Sequence, residues 1–172
     1  ATRANDPRLV AALHNTVGLV AKASGDARLA SEQYELAVRA LEPVAEANDP
    51  DLTSALSNWS DALAHLGDFA QARPLAERAV ARDRAYFGAH HPSYASSVMS
   101  LGSRLMEAGE LEPAERAQRE ALDILTDVHG ADSVAVIAPH HNLAIVLAQR
   151  GQLDAARVHA ERAMTLSNQH RG

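Results

Sequence analysis

Four glycines set at one interval constrain this chain more than any other feature. Gly25, Gly67, Gly109 and Gly151 follow one another at 42-residue steps, and the residues around each keep to one template. The fullest copy is Leu56-Ser-Asn-Trp-Ser-Asp-Ala-Leu-Ala-His-Leu-Gly67-Asp-Phe-Ala-Gln-Ala72, and the other three lie on it without a gap. A unit copied four times at such a period predicts stacked supersecondary elements that bury their apolar faces on one another, not a globule built around a catalytic cleft.

The punctuation makes each unit a helical hairpin. Asp6-Pro7, Asp49-Pro50 and His91-Pro92 each place a capping side chain before a proline at the first helical position, and the fourth copy uses Asp132-Ser133. Behind a short lead-in over Ala1 to Asn5, first helices are predicted from Pro7 to about Ser24, Pro50 to Leu66, Pro92 to Ala108 and Ser133 to Arg150. Each stops at a ladder glycine, whose freedom at positive φ suits the residue just past a helix end. Asp26, Asp68, Glu110 and Gln152 then open second helices, expected over roughly 26–47, 68–86, 110–128 and 152–168. The expectation is an all-α chain of eight helices in four antiparallel hairpins, one domain over 1–172 with repeats near 7–48, 49–90, 91–131 and 132–172. Pro74 falls inside a second helix and should bend it. Pro139 should do the same in the fourth copy unless that helix begins near Val136.

Equivalent positions show how the hairpins close. Val17, Trp59, Leu101 and Leu143 share one site, with Ala21, Leu63, Leu105 and Leu147 one turn later on the same face. Between them stand Gly18, Ser60, Gly102 and Ala144, which implies that the paired helix crosses there at short range. The second helices carry Ala30, Ala72, Ala114 and Ala156, then Ala37, Ala79, Ala121 and Ala163 two turns on, a stripe that should face the first helix.

Composition narrows the chemistry. Alanine makes up about a fifth of the chain and aromatics only 3%, so close helix contacts through small side chains replace a large aromatic core. A net charge of −6, with Arg alternating with Glu and Asp, argues against a nucleic-acid partner. No apolar run is long enough to span a bilayer, and no secretory leader opens the chain; a cytoplasmic setting is expected, and Arg-rich, Lys-poor usage hints at a bacterial source. The chain starts at Ala1, so a mature or excised fragment is expected.

These features resemble the tetratricopeptide repeats, and the 42-residue period resembles their longer kinesin light chain type. Ser57-Asn-Trp59 and His141-Asn-Leu143 are similar to the Asn-Asn-Leu signature of that type, Gly88-Ala-His-His-Pro92 to its Gly-x-x-His-Pro linker, and Ala72-Arg-Pro-Leu75 to its Ala-Glu-Pro-Leu. The last match makes Pro74 a family feature. The resemblance implies a right-handed superhelical solenoid whose first helices line a concave groove that binds an extended or helical peptide.

On that implication the groove candidates are Asn15, Leu19 and Lys22 in the first copy, and Ser54, Asn58, Asp61 and His65 in the second. The third copy offers Ser96, Met99, Ser100, Ser103 and Met106, and the fourth His141, Asn142, Ile145 and Gln149. Asn58 and Asn142 stand at equivalent places, where an amide either hydrogen-bonds a bound backbone or bridges neighbouring helices. Met99 and Met106, seven apart, either make an adaptable contact or belong to the core. Ser96 and Ser100 supply no cation at the places where some relatives clamp a terminal carboxylate, which disfavours chaperone tails.

No chemistry is expected. The chain has no cysteine, no nucleophile elbow and no phosphate loop, and Glu77-Arg78, Glu115-Arg116 and Glu161-Arg162 read as solvated surface charge. His90, His91 and His129 with Asp132 could approach one another as metal ligands, but linker and packing roles account for the histidines better. His14 and His140, standing where the middle copies use Leu56 and Val98, should be half-buried. The expectation is a non-catalytic scaffold with a protein or peptide partner and no cofactor or metal. The alternative is a regulatory or oligomerising segment of a larger signalling protein, associating through an uncapped end where the last helix carries Val158, Met164 and Leu166.

Overall fold

The structure is a computed structural model that describes residues 6–46 and 49–170; the lead-in over Ala1 to Asn5 and the outer limits of the first and last repeats lie outside the described residues. Eight α-helices occur among the described residues: α1 (Pro7–Ala23), α2 (Ala27–Leu41), α3 (Pro50–His65), α4 (Phe69–Phe87), α5 (Pro92–Glu107), α6 (Leu111–His129), α7 (Ile137–Gln149) and α8 (Leu153–Gln169). The chain divides into two compact units, Ala1–Tyr86 and Phe87–Gly172, each built of two hairpins.

Capping follows the sequence signals where the side chain is short enough. Asp6, Asp49 and His91 accept from the backbone N–H two residues on, and Asp26 and Asp68 from the N–H three residues on. Glu110 and Gln152 make no such bond; one more methylene carries their side chains past the turn. The ladder glycines adopt φ of 83°, 79°, 78° and 76°. Each closes the preceding helix in a Schellman turn, with Asp26, Asp68, Glu110 and Gln152 donating to the carbonyls of Ala21, Leu63, Leu105 and Leu147.

Two boundaries differ from the sequence reading. Helix α2 ends at Leu41, not near 47, because Pro43 has no N–H to continue the ladder. Ser133 caps a short 3-10 turn, Val134–Val136, and α7 begins at Ile137, not at Ser133 but one residue past the alternative start near Val136. Pro139 therefore lies in the first turn, where no N–H is needed, whereas Pro74 lies within an otherwise continuous α4.

Both alanine stripes are buried throughout. Close crossing at the small residues takes a specific form. A Cβ on Gly18 would stand 2.6 Å from the ring of Tyr34, and one on Gly102 would stand 2.6 Å from Gln118 Nε2. Ser60 Oγ donates to the Ala72 carbonyl at 2.7 Å. Tyr34 and Gln118 share one register position with Ala76 and Ala160. Where the first helix has glycine the second helix has a large residue, and where it has Ser60 or Ala144 the second has alanine. The volumes compensate pair by pair.

A second paired position distinguishes the first and fourth hairpins. His14 Nδ1 lies 2.8 Å from Gln33 Oε1, and His140 Nδ1 lies 2.8 Å from His159 Nδ1. The same place in the second and third copies holds Leu56 with Leu75 and Val98 with Ala117. The His140–His159 contact needs one proton, so charging both rings destroys it. Burial holds His140 below its usual value of 6.5, with His159 and Arg162 adding to the effect. Burial also holds His159 down, aided by Arg119 against a smaller opposing pull from Glu115. Because the unfolded chain then binds more protons, stability is complete above 6.5 and is lost as pH falls below that value through the lower folded ones. The double variant H140L/H159L, copying the second hairpin, is expected to flatten the melting temperature between roughly pH 7 and 5, where carboxylates do not yet titrate. Parallel curves for variant and parent would dismiss this account.

Candidate protein-interaction surface

The expected surface lies on the first helices, and each unit is described by itself. In the first unit the side chains of α1 and α3 meet in a polar strip. Asn58 Nδ2 donates to Asn15 Oδ1 at 3.0 Å, and one turn on Lys22 Nζ is paired with Asp61. His65 Nε2 lies 3.6 Å from the same Asp61 carboxylate. Beside the amides a concavity of about 270 Å³ is lined by Arg8, Ala12, Asn15 and Ser54, and another of about 340 Å³ lies by Lys22, Gly25 and His65. Six of the seven candidates in this unit are thus brought together; Leu19 is exposed on α1. The amides do bridge neighbouring helices, yet both are only half-buried and keep unused donor and acceptor positions.

In the second unit the linkage runs through a residue absent from the candidates. Gln118, almost fully buried on α6, donates from Nε2 to the Met99 carbonyl at 2.9 Å on α5, while its Oε1 accepts from Asn142 Nδ2 at 3.3 Å on α7. The sequence held its signal in the pairing of Gly102 with Gln118 and of Gly18 with Tyr34. Ser96 and Ser103 donate back to the carbonyls of Pro92 and Met99, one turn earlier. Met106 packs against the cluster around Leu105 and Leu147, so of the two methionines it is the one committed to the core. Ser100, His141 and Gln149 are exposed, and Met99 and Ile145 half-buried.

Buried charge corrects the expectation that all carboxylates are solvated. Glu115 is buried on α6 and pairs with Arg119, 2.8 Å away, and with Arg150 beyond the end of α7. Burial alone would raise its carboxyl, but hydrogen bonds from Arg119 and Arg150 outweigh it and hold the group below its usual range. Asp49 is buried likewise: burial raises it, and the Arg8 guanidinium with the Asp51 and Leu52 N–H groups brings it down. Sequence missed both because Arg150 and Arg8 reach these carboxylates from another hairpin. Glu77 and Arg78 pair instead at the surface, with Arg73 and Glu42, and Arg162 pairs with Asp132.

His91 has a structural task, capping α5 and stacking on Phe87 at a centroid distance of 4.5 Å. Among the described residues no three His, Asp or Glu side chains gather as a metal site requires. Nor, among them, is any helix long and apolar enough to cross a membrane.

A family profile for the tetratricopeptide repeat matches residues 51–127 and 98–169, well over half of the chain. The chain belongs to the tetratricopeptide-repeat family. Its repeats are of the kinesin-light-chain-like kind, in an all-α repeat fold of the solenoid class. BtubC from P. vanneervenii has a TM-score of 0.79 at 23% identity, over 97% of this chain and 67% of that one. The nearly identical repeats of a putative kinesin light chain from Podosopora anserina reach 0.82 at 19% identity, over 96% of this chain and 78% of theirs. Amyloid protein-binding protein 2 of Rattus norvegicus is 31% identical over 101 residues, which is 56% of this chain and 17% of that protein. The chain thus spans less than a fifth of the length of such curated relatives. Tetratricopeptide repeats build protein-interaction scaffolds, and membership speaks to function at that level.

Proposed function

We propose that the chain is a non-catalytic scaffold that binds a peptide or helical segment of a partner protein along the groove face of its first helices. The observation that carries this reading is the Asn15–Asn58 amide pair with the adjoining Lys22–Asp61–His65 strip on α1 and α3. These are hydrogen-bonding side chains in register on adjacent helices, half-exposed and beside a concavity, where packing alone calls for no polarity. Amides recognise a peptide backbone without dictating its sequence, and the Lys–Asp pair offers both signs of charge at one end. Met99 and Ile145 supply apolar contact on the corresponding face of the second unit.

The test is to pan a random-peptide display library on the purified chain and titrate the selected peptides by calorimetry. Asn58→Ala and Lys22→Ala are expected to weaken binding about fivefold each, on the scale of one hydrogen bond, while Arg39→Ala on the exposed side of α2 leaves it unchanged. Peptides that ignore both substitutions, or no selected peptide at all, would defeat the proposal.

A further inference from the structure

The two ends of the Gln118 amide are not interchangeable. Its register position holds Tyr34, Ala76 and Ala160 in the other copies, so the third hairpin alone puts an amide there. Gly102 makes room for it, since a Cβ at that place would stand 2.6 Å from Gln118 Nε2. Beside the same nitrogen, at 2.9 Å, lies the Met99 carbonyl, which also accepts from Ser103 Oγ at 3.2 Å. A carbonyl can only accept, so the NH2 end of Gln118 is fixed toward it and Oε1 is fixed away from it. At 1% exposure, water offers the side chain no other partner.

This choice passes to the groove face. Meeting an acceptor at 3.3 Å, Asn142 turns its own NH2 inward, and Oδ1 becomes the free end of a half-buried side chain. Among the described residues nothing donates to that oxygen. The first unit has no such anchor. Asn58 Nδ2 donates to Asn15 Oδ1, and reversing both amides together would restore the same bond, so that pair offers a ligand either polarity. Asn142 offers one.

We propose that Gln118 is a positioning residue that holds Asn142 with Oδ1 toward the groove, so that the second unit takes a backbone N–H from the bound segment and rejects an acceptor at that place. The inference rests on the peptide-binding reading above, which names the face but not its polarity. A backbone donor suits the surroundings better than a cationic side chain, because Met99, Ser100 and Ile145 on the same face bring no carboxylate. An N–H free to donate belongs to an extended stretch or to the first turn of a helix, since later turns use theirs internally.

The test uses peptides selected on the purified chain and weakened by Asn142→Ala, resynthesised with a single ester at each peptide bond in turn, which exchanges one N–H for an oxygen. Calorimetry should find one ester that weakens binding to the parent about tenfold, through a lost hydrogen bond and two oxygens set face to face, and that has little further effect in Asn142→Ala. Gln118→Met keeps the bulk and removes both polar ends. Asn142 can then turn its NH2 outward, and the ratio of the amide and ester affinities should fall to about threefold. If Gln118 only fills space, both peptides weaken alike and the ratio stays at the parent's, which would overturn the proposal. A check without variants uses the unliganded parent: the Gln118 NH2 should show an Overhauser effect to the Gly102 Hα protons, and its absence would count equally against the proposal. Selected peptides that ignore Asn142→Ala, or no ester whose effect depends on Asn142, would sink this inference and leave the groove reading standing. Failure to select any peptide ends both.

Discussion

Gly18→Ala is expected to destabilise the first unit by about 2 kcal/mol, although alanine is the better helix former by about 1 kcal/mol. The clash decides the sign. A Cβ at this position would lie 2.6 and 2.8 Å from two carbons of the Tyr34 ring. Tyr34 is fully buried among Ala21, Ala30 and Ala62, so the ring cannot swing away. The midpoint of urea unfolding, followed by the fluorescence of Trp59 in the same unit, measures the loss.

The pairing makes a sharper demand. Tyr34→Ala alone leaves a cavity and should cost about 3 to 5 kcal/mol, but G18A/Y34A rebuilds the Ala144 and Ala160 pair of the fourth hairpin. The double variant should therefore be more stable than the sum of the singles by at least about 1 kcal/mol. Tyr34→Phe separates shape from polarity. The Tyr34 hydroxyl is buried without a hydrogen-bond partner among the described residues, so its removal should leave stability unchanged or raise it. Additive single and double costs would refute the compensating-volume account of these crossings.

How much of this was legible in the sequence depends on distance along the chain. The glycine ladder, the caps and the alanine stripes are local or strictly periodic signals, and they place seven of the eight helix starts within a residue or so. The exception, α7, begins four residues late because two β-branched residues follow the Ser133 cap and Pro139 can sit only in a first turn. Contacts that break the repeat were not legible. Glu115 stands where the first copy has Ser31, so no template flags it, and the glycine opposite Gln118 marks that residue's bulk, as it does for Tyr34, but not its hydrogen bonds. Their roles come from Asn142 on α7 and Arg150 just past it, residues of the next hairpin. Of the groove candidates, those that meet across α1 and α3 lie 43 and 39 residues apart, one to three places off the 42-residue repeat, so the sequence put them on one face but did not pair them. It could not tell that the Met106 side chain turns into the core while Ser100 remains at the surface.

The double variant R119A/R150A is expected to cost the second unit about 3 kcal/mol, at the lower end for stranding a buried charge because Glu115 keeps some access to water. Adding Glu115→Leu should return most of that loss, since an apolar side chain in the same buried space needs no counter-charge. Thermal unfolding followed by circular dichroism ranks the three proteins. If the double variant matches the parent, or the triple variant is no better than the double, the triad does not hold the seam. Acid provides an independent check. Glu115 contributes stability above its usual value of 4.5 that is lost as pH falls below that value through its lower folded one, so the gap between parent and double variant should close there. The need for a triad at this seam follows from α7 itself. Its 3-10 start leaves it 13 residues, the shortest of the eight helices. Arg150, just past its last turn, ties the free end of that helix to α6, where the first three copies have Ser24, Leu66 and Ala108.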